Sequence, residues 1–216
     1  MILIEPGYLI ETPLYVISDM LQRIEKAGRT CYKSIDKITN DSSKSFVKKI
    51  LDSGHHSVIE HEQMSVRIIC DRGVTHEIVR HRLASYSQES TRYCDYNKDH
   101  MTFIIPPWVD IIPGEYLELN TQDSPDNYWF NHMLWSERTY RYQRNSGWTP
   151  QQARDILPNS LKTEIVMTAN LREWRHFFKL RTANAAHPQM REVAIPILNS
   201  FKQLIPIIFD DIQENM

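Results

Sequence analysis

The chain has 216 residues, of which 41% are hydrophobic and 24% are charged, and its formal net charge is −2. This composition is typical of a globular protein of one domain, so we predict a single domain over residues 1–216. Only six residues are glycine, and no two lie closer than 19 positions, which excludes the phosphate loops G-x-G-x-x-G and G-x-x-x-x-G-K-[ST]. A net charge near zero excludes a global basic field for nucleic acid, so any anion site has to be a local cluster.

The cysteine usage indicates a reducing compartment. Cys31, Cys70 and Cys94 lie far apart and form no C-x-x-C pair, which argues against a disulfide framework or a zinc–thiolate site.

The first residues lack the positive charge and the long apolar run of a signal peptide. The longest apolar stretches, such as residues 204–209, are too short to span a bilayer. We therefore expect a cytoplasmic protein that takes neither nucleic acid nor a membrane as partner.

The first part of the chain predicts two strands and three helices. Residues 2–9 are predicted as a strand. Residues 18–27 and 42–51 are predicted as helices, because apolar residues recur at helical spacing after Ser and Asp residues suited to the N-cap. Residues 62–71 alternate apolar and polar side chains with a period of two, which predicts a half-buried strand. Residues 75–83 are predicted as a helix that is followed by a polar loop.

The second part of the chain has longer helical patterns, interrupted at prolines. The predicted elements are a strand at 101–105, a loop at 110–125, an aromatic-rich helix at 126–144, a short helix at 150–158, a strand at 163–168, a helix that Asn170 begins, and a last helix at 188–213, kinked at Pro196 and Pro206. The aromatic residues of the helix at 126–144 are expected in core and subunit contacts. Strands and helices that do not strictly alternate predict an α+β (mixed α/β) domain.

Residues 80–92 carry the densest set of side chains suited to an anion. Arginine presents a planar fork of donors that matches phosphate and carboxylate, and serine hydroxyls complete such a cradle. The segment holds Arg80, His81, Arg82, Ser85, Ser87, Ser90 and Arg92. A solvated basic turn is the alternative for this segment. Ser90 lacks the G-x-S-x-G turn of a nucleophile, so no nucleophile stands out in this segment.

Two further clusters are candidates for chemistry. His55, His56, Glu60 and His61 invite a metal-dependent hydrolase as an alternative function, but their spacing is poor for a metal, and we predict no metal site. In the second cluster, Arg172 and His176 are four residues apart and share one helix face. Leu171, Trp174 and Phe178 form another stripe that is expected to face the core. An amphipathic helix with a charged outer face is the alternative for this cluster.

Four motifs in order resemble those of the flavin-dependent thymidylate synthases. They are G-H-x-S-x-x-E-H at Gly54 to His61, R-H-R-x7-S at Arg80 to Ser90, A-R-x-x-L-P at Ala153 to Pro158, and N-x-R-x-x-x-H-x-x-x-x-R at Asn170 to Arg181. The resemblance spans about residues 1 to 210. It implies a central, largely antiparallel sheet flanked by helices, and a homotetramer whose active sites are shared between subunits. It implies methylation of dUMP to dTMP, with methylenetetrahydrofolate as carbon donor, reduced FAD as hydride donor and NADPH as reductant of the flavin.

The resemblance also implies the residues of the site. The expected FAD-binding residues are His55, Ser57, Arg80, His81, Arg82, Gln88, Asn170, Arg172 and His176. The expected dUMP-binding residues are Glu77, Arg80, Gln88, Glu89, Ser90, Thr91, Arg92, Arg154 and Arg181, of which Arg181 is expected to be catalytic. The chain departs from commoner versions of the motifs in several places. Glu77 stands where glutamine is frequent, Ser87 and Gln88 replace an Asn-Glu pair, and Cys31 stands where serine is common.

Overall fold

A computed structural model describes residues 1–213, and their contacts divide the chain into two compact units. Unit 1 consists of Met1–Gly7, Ile68–Arg80 and Ser87–Ile165. Unit 2 consists of Tyr8–Arg67, His81–Tyr86 and the residues from Val166 onward. The single domain over residues 1–216 stays a prediction. None of the helices within residues 1–213 is both long and apolar enough to cross a membrane.

The regular elements follow one another as a mixture of strands and helices. The strands are β1 (Ile2–Ile4), β2 (Gly7–Ile10), β3 (Gln63–Asp71), β4 (Ala84–Gln88), β5 (Thr102–Ile104), β6 (Gly114–Glu115) and β7 (Lys162–Asn170). The helices are α1 (Leu14–Ser18), α2 (Met20–Cys31), α3 (Ser42–Asp52), α4 (Arg72–Ile78), α5 (Pro125–Asn145), α6 (Pro150–Ala153), α7 (Leu171–Arg181) and α8 (Pro188–Leu204), with 3₁₀ turns at Ile35–Lys37, His56–His61 and Arg154–Ile156.

The strands form two sheets. In the order β5-β1-β6, strand β1 is parallel to β5, with Leu3 opposite Phe103, and antiparallel to β6. The second sheet has the order β2-β3-β7-β4. Its inner strands β3 and β7 bury every second side chain, as the period of two predicts for strands with one face on a core. The mixed α/β class predicted from the sequence is confirmed.

Each unit has its own apolar core. In unit 1, helix α5 packs Phe130, Leu134 and Tyr140 against Leu3 and Phe103 of the three-stranded sheet. In unit 2, the core is aromatic: the rings of Trp174, Phe177, Phe178, Phe201 and Phe209 contact one another at centroid distances between 5.0 and 5.6 Å. Aromatic pairs in such edge and stacked arrangements contribute more than their buried area alone. The apolar stripe predicted for α7 therefore faces the core, as expected.

Three predicted boundaries near the start of the chain and around residue 80 are wrong. The predicted strand at 2–9 is two strands, because Pro6 has no N–H to donate to a sheet. Helix α4 begins at Arg72 rather than at 75, since Asp71 is its N-cap and its Oδ1 accepts from Val74 N at 2.8 Å. The helix ends at Ile78 rather than at 83, and the predicted polar loop contains strand β4.

The prediction for the last helix is right at its beginning and wrong at its end. Pro188 lies in the first turn of α8, where a missing N–H costs nothing, and Pro196 lies inside the helix. The helix ends at Leu204, before Pro206, rather than continuing to 213. Beyond it, Arg175 donates two hydrogen bonds to the carboxylate of Asp211, both at 2.6 Å. This bidentate pair connects the segment after α8 to α7 within unit 2.

Candidate functional site

Helix α7 positions three of the predicted site residues. Its N-cap is Asn170, whose Oδ1 accepts a hydrogen bond from Glu173 N at 2.8 Å, as the sequence predicts. From that start, Arg172 and His176 lie four residues apart and both are exposed, on the face opposite the aromatic core. Arg181 lies in the last turn of α7, where a cation interacts favourably with the helix dipole.

The central contact of unit 2 joins Arg181 to His81. Arg181 Nε donates a hydrogen bond to His81 Nε2 at 3.0 Å, across 100 positions of sequence. The His81 side chain is buried, and its ring lies edge-on to the rings of His176 at 5.5 Å and Phe177 at 4.9 Å. Two motifs that are distant in the sequence therefore meet at one side chain, which is what a shared site requires.

The surroundings of His81 keep its ring neutral. Burial, the cationic Arg181 and His176 together lower the pKa of His81 to about 4, with burial the largest cause. A neutral imidazole has one donor nitrogen and one acceptor nitrogen. The lone pair of His81 Nε2 accepts the hydrogen bond from Arg181, so the proton of the ring is on Nδ1. His81 can thus act near neutral pH as a hydrogen-bond acceptor, not as a cation.

Two residues beside His81 are absent from the sequence prediction. His81 Nδ1 lies 3.4 Å from Glu173 Oε1, which is long for a hydrogen bond, and the hydroxyl of Tyr86 donates to His81 O at 2.7 Å. The only sequence signal for Glu173 is the N-x-x-E capping pattern that begins at Asn170. That pattern places Glu173 in the first turn of α7 but says nothing of His81.

The side chains that lie close enough to bind a metal ion are not those of the hydrolase alternative. Within residues 1–213, the group with ligand atoms close enough to share an ion is His81, Glu173 and His176, with all three atoms within 4.8 Å of one another. The guanidinium of Arg181 lies at hydrogen-bond distance from the same His81 ring. A positive charge at that position repels a second cation, which disfavours a metal there.

The histidine-rich segment of the hydrolase alternative is dispersed instead. Glu60 accepts a hydrogen bond from Arg172 at 2.6 Å, and His55 Nδ1 lies 3.3 Å from the hydroxyl of Tyr32. His56 lies in the lining of a different cavity from that of His55. Their distribution over separate partners gives no support to a shared metal ion.

His55 borders a cavity of unit 2 that suits an anionic ligand. The cavity has a volume of about 540 Å³. Besides Ile50 and His55, its lining has three cationic side chains, two aromatic rings and three serines. They are Arg29, Lys37 and Lys49, then Tyr32 and Phe46, then Ser34, Ser45 and Ser53. Cations bind phosphates and aromatic rings stack on planar groups, so this lining could hold a ligand that carries both. Ser57, the second predicted residue of the segment, is exposed.

In unit 1, five predicted residues follow one another where β4 ends. Gln88 Nε2 donates to Thr75 Oγ1 at 3.0 Å, and Glu89 accepts from Tyr96 at 2.7 Å and from Lys162 at 3.3 Å. The contacts of Glu89 fix the carboxylate among donors, so it is held in place rather than mobile. These side chains use their polar groups to build the end of the strand.

Ser90, Thr91 and Arg92 form a tight turn beyond β4. Ser90 O accepts from the N–H groups of Tyr93 at 3.1 Å and Cys94 at 2.9 Å, and Ser90 Oγ accepts from Arg92 N at 3.3 Å. Thr91 is buried, whereas Arg92 is exposed and its guanidinium lies over the ring of Tyr93. The turn thus holds a serine and an exposed arginine two residues apart, and both side-chain types bind phosphate.

The remaining predicted residues are Glu77, Arg80, Arg82 and Arg154. Glu77 is half-buried in α4, and Arg80 follows that helix as an exposed residue of unit 1. Arg82 is exposed in unit 2. Arg154 is exposed in the 3₁₀ turn after α6, which begins with a capping box between Thr149 and Gln152. Exposed guanidinium groups of this kind are available for anionic ligands.

Comparisons with known proteins agree with the motifs. The family described as "Thymidylate synthase complementing protein" matches residues 14–207. The chain is 35% identical over 199 residues to a flavin-dependent thymidylate synthase of Mycolicibacterium vanbaalenii, an alignment that covers 88% of this chain and 78% of the relative. It is 36% identical over 182 residues to a protein of the same name from Pyrococcus abyssi, which covers 82% of this chain and 70% of that one.

Two solved structures have the same fold at lower identity. Thymidylate synthase X from Helicobacter pylori, solved with FAD and dUMP, aligns with a TM-score of 0.73 and 22% identity over 95% of this chain and 98% of that one. The UMP/dUMP methylase PolB from Streptomyces cacaoi, bound with 5-Br dUMP, aligns with a TM-score of 0.74 and 23% identity over 97% and 96% of the two chains. These similarities confirm the architecture of the chain.

Proposed function

The chain belongs to the family of thymidylate synthase complementing proteins, and we propose that it is a flavin-dependent thymidylate synthase that methylates dUMP to dTMP. The observation that carries the proposal is the hydrogen bond from Arg181 to His81 at 3.0 Å. This bond joins the R-H-R motif to the end of the N-x-R-x-x-x-H-x-x-x-x-R motif. Two of the four motifs that carry the resemblance are thus joined in one polar cluster.

The reaction replaces a hydrogen of the uracil ring with a methyl group. Methylenetetrahydrofolate supplies the carbon and leaves as tetrahydrofolate, the hydrogen at C5 of uracil leaves as a proton, and a hydride comes from reduced FAD. NADPH is the reductant that returns the flavin to its reduced form. The cofactor provides the redox chemistry, so the protein has to bind, orient and polarise the reactants.

Arg181 is the proposed catalytic residue. A guanidinium beside N3 of the uracil stabilises the negative charge that develops on the ring, which makes C5 more nucleophilic. Such stabilisation depends on a donor whose position is fixed before the reaction. The hydrogen bond to the buried, neutral His81 supports this role, because it holds the guanidinium at a defined place.

The residues proposed to bind FAD suit a diphosphate and two ring systems. They are His55, Ser57, Arg80, His81, Arg82, Gln88, Asn170, Arg172 and His176. The exposed Arg172 and His176 on one face of α7 support this assignment, as do the cationic and aromatic side chains of the cavity beside His55. Arginine and lysine here take the part that a glycine-rich loop takes in other nucleotide-binding proteins.

The residues proposed to bind dUMP include the turn after β4. They are Glu77, Arg80, Gln88, Glu89, Ser90, Thr91, Arg92, Arg154 and Arg181. The turn supports a phosphate site because it contains both Ser90 and the exposed Arg92, whose backbone N donates to Ser90 Oγ. A serine in this role binds the phosphate without attacking the ring. Arg154 and Arg80, both exposed, are proposed as further contacts.

The enzyme is proposed to work as a cytoplasmic homotetramer with shared sites. Tyr128, Trp135 and Tyr142 recur every seven residues along α5 and expose 70%, 54% and 74% of their surface. Residues seven apart lie on one face of a helix, so these rings form an exposed aromatic stripe, which supports a contact between subunits. Three unpaired cysteines support a reducing location.

Flavin content and tritium release test the proposal. The purified protein is expected to be yellow, or to take up FAD, with the absorbance of an oxidised flavin. It is expected to release tritium from [5-³H]dUMP only when methylenetetrahydrofolate and NADPH are both present. A folded, FAD-loaded protein that releases no tritium would overturn the proposal. Stoichiometric metal without flavin would favour the hydrolase alternative.

A further inference from the structure

Glu173 is a buried carboxylate, and the capping pattern does not explain where its side chain points. Only 7% of the residue is exposed, and its backbone N–H is already satisfied by Asn170. In a capping box, the glutamate side chain at this position reaches back to the N-cap backbone. Here its Oε1 lies 3.4 Å from His81 Nδ1 instead. A buried carboxylate is costly unless it has a polar partner, so the position of Glu173 points to His81.

The contact with Arg181 determines the tautomer that His81 has to adopt. Arg181 Nε has a hydrogen to donate and no lone pair to accept with, so His81 Nε2 has to be the acceptor. In a neutral ring, the proton is then on Nδ1, and Nδ1 is the nitrogen that faces Glu173. The three side chains therefore follow one another in one order, from the guanidinium through the imidazole to the carboxylate. The step from Arg181 to His81 is a hydrogen bond, whereas His81 Nδ1 is buried near Glu173 without one.

We propose that Glu173 is a positioning residue that holds His81 as the Nδ1-protonated tautomer, so that His81 Nε2 accepts from Arg181 and fixes the guanidinium. The catalytic role of Arg181 in this inference rests on the proposed function. The tautomer of His81 does not depend on that function. The 3.4 Å separation closes to a hydrogen bond with a small side-chain movement, and such bonds are often long before the substrate binds. The acceptor oxygen matters here, rather than the negative charge.

Burial around Glu173 agrees with an acceptor that does not need to be charged. Burial raises the pKa of Glu173, and His176 acts in the opposite direction. Both the carboxylate and the carboxylic acid offer an oxygen that accepts from Nδ1–H. An amide offers one as well, so Glu173→Gln is expected to preserve the tautomer. A thioether of similar length is a much weaker acceptor, so Glu173→Met is expected to lose it.

The first experiment measures the tautomer in the flavin-free protein. The ¹⁵N chemical shifts of the His81 ring distinguish the two neutral tautomers, and the His81→Asn variant identifies its signals. We expect the Nδ1–H form in the wild type and in Glu173→Gln, and a mixture of tautomers in Glu173→Met. The Nε2–H form in the wild type would overturn the proposal without any variant. An unchanged tautomer in Glu173→Met would overturn it as well.

The second experiment separates positioning from stability by kinetics. Loss of the carboxylate partner of a metal-binding histidine typically costs about 10- to 100-fold in activity. Since Glu173 orients His81 in the same way, Glu173→Met is expected to lower kcat by roughly this factor. The KM for dUMP is expected to change much less, and Glu173→Gln is expected to restore kcat to within about threefold of the wild type. Equal kcat values in the two variants would contradict the proposal.

A buried carboxylate of unit 1 serves as the matched control. Glu137 is 3% exposed and accepts from Arg141 and the backbone of Met101. Glu137→Gln is expected to lower the melting temperature without changing the His81 ring shifts. A change of the His81 shifts in this variant would mean that the shifts report general loosening, which would overturn the inference from Glu173→Met.

If the wild type releases no tritium, the proposed function is wrong, while the tautomer measurement still decides the role of Glu173.

Discussion

Units 1 and 2 carry different parts of the proposed chemistry. Except for Arg181, the residues proposed for dUMP belong to unit 1, and most of those proposed for FAD belong to unit 2. Arg80 and His81 are neighbours in the sequence, yet they fall in different units. The R-H-R motif therefore provides residues to both sets.

The two sets also differ in how they are built. Five of the unit 1 residues are consecutive, at the end of β4 and in the turn that follows, and local hydrogen bonds such as Arg92 N to Ser90 Oγ hold them. The unit 2 residues come from three distant segments, and the other two segments contact α7 through the hydrogen bonds of Arg181 to His81 and of Arg172 to Glu60. The members of both sets are readable from motifs, whereas the contacts between the distant segments of unit 2 are known only from the fold.

The replacement Arg181→Ala is expected to have the largest effect. Loss of one donor that stabilises charge in a transition state typically lowers kcat by about 10²- to 10³-fold, and FAD is expected to stay bound. Tritium release and flavin absorbance measure the two quantities. Lys179→Ala, an exposed cation two residues away on α7, is the control and should leave turnover unchanged. Activity of Arg181→Ala equal to that of the wild type would show that Arg181 has no catalytic role.

The replacement Arg154→Ala tests the assignment of dUMP to unit 1. A hydrogen bond to a charged group contributes about 1.5–3 kcal/mol, so the KM for dUMP is expected to rise by about 10- to 150-fold. The dissociation constant of FAD should not change. Lys98→Ala removes another exposed cation of unit 1 and serves as the control. If FAD affinity fell in parallel with dUMP affinity, the division by ligand would be wrong.

The replacement Arg172→Ala tests the assignment of FAD to unit 2. FAD affinity, measured by flavin fluorescence, is expected to fall by about tenfold, as for the loss of one contact with a charged side chain, while the KM for dUMP stays the same. Arg172 also pairs with Glu60 at 2.6 Å, and exposed pairs contribute at most about 1 kcal/mol. Glu60→Gln is thus expected to increase FAD affinity slightly. A decrease in that variant would show that Glu60 itself contributes to binding.

The smallest expected effect is a dependence of stability on pH within unit 2. The pKa of His81 is about 4 in the folded protein, against 6.5 for a free side chain. Because the folded pKa is lowered, the neutral ring contributes fully above pH 6.5, and this contribution is lost as the pH falls towards 4. Chemical unfolding should show a loss of at most about 3 kcal/mol from this group. His81→Gln should have a shallower slope over the same range; an identical slope would contradict the prediction.

The regular elements show which structural features are readable from sequence. Strand β3 and helices α3 and α5 match their predictions within two residues, since each has a clear period of two or 3.6. Strand β4 is absent from the prediction. It is last in the order β2-β3-β7-β4 and fully buries none of its side chains. Its alternation has only Ala84 and Tyr86 as apolar members, which is too little to predict a strand.

The sequence by itself determined the residue types of the site, the N-cap of α7 and the family to which the chain belongs. These depend on local backbone hydrogen bonds and on motifs that can be compared directly. Only the tertiary structure decided that Arg181 donates to His81 and that Glu173 faces the other nitrogen of the same ring. Contacts across about a hundred positions depend on how the aromatic core orients α7, and no short-range pattern encodes that orientation.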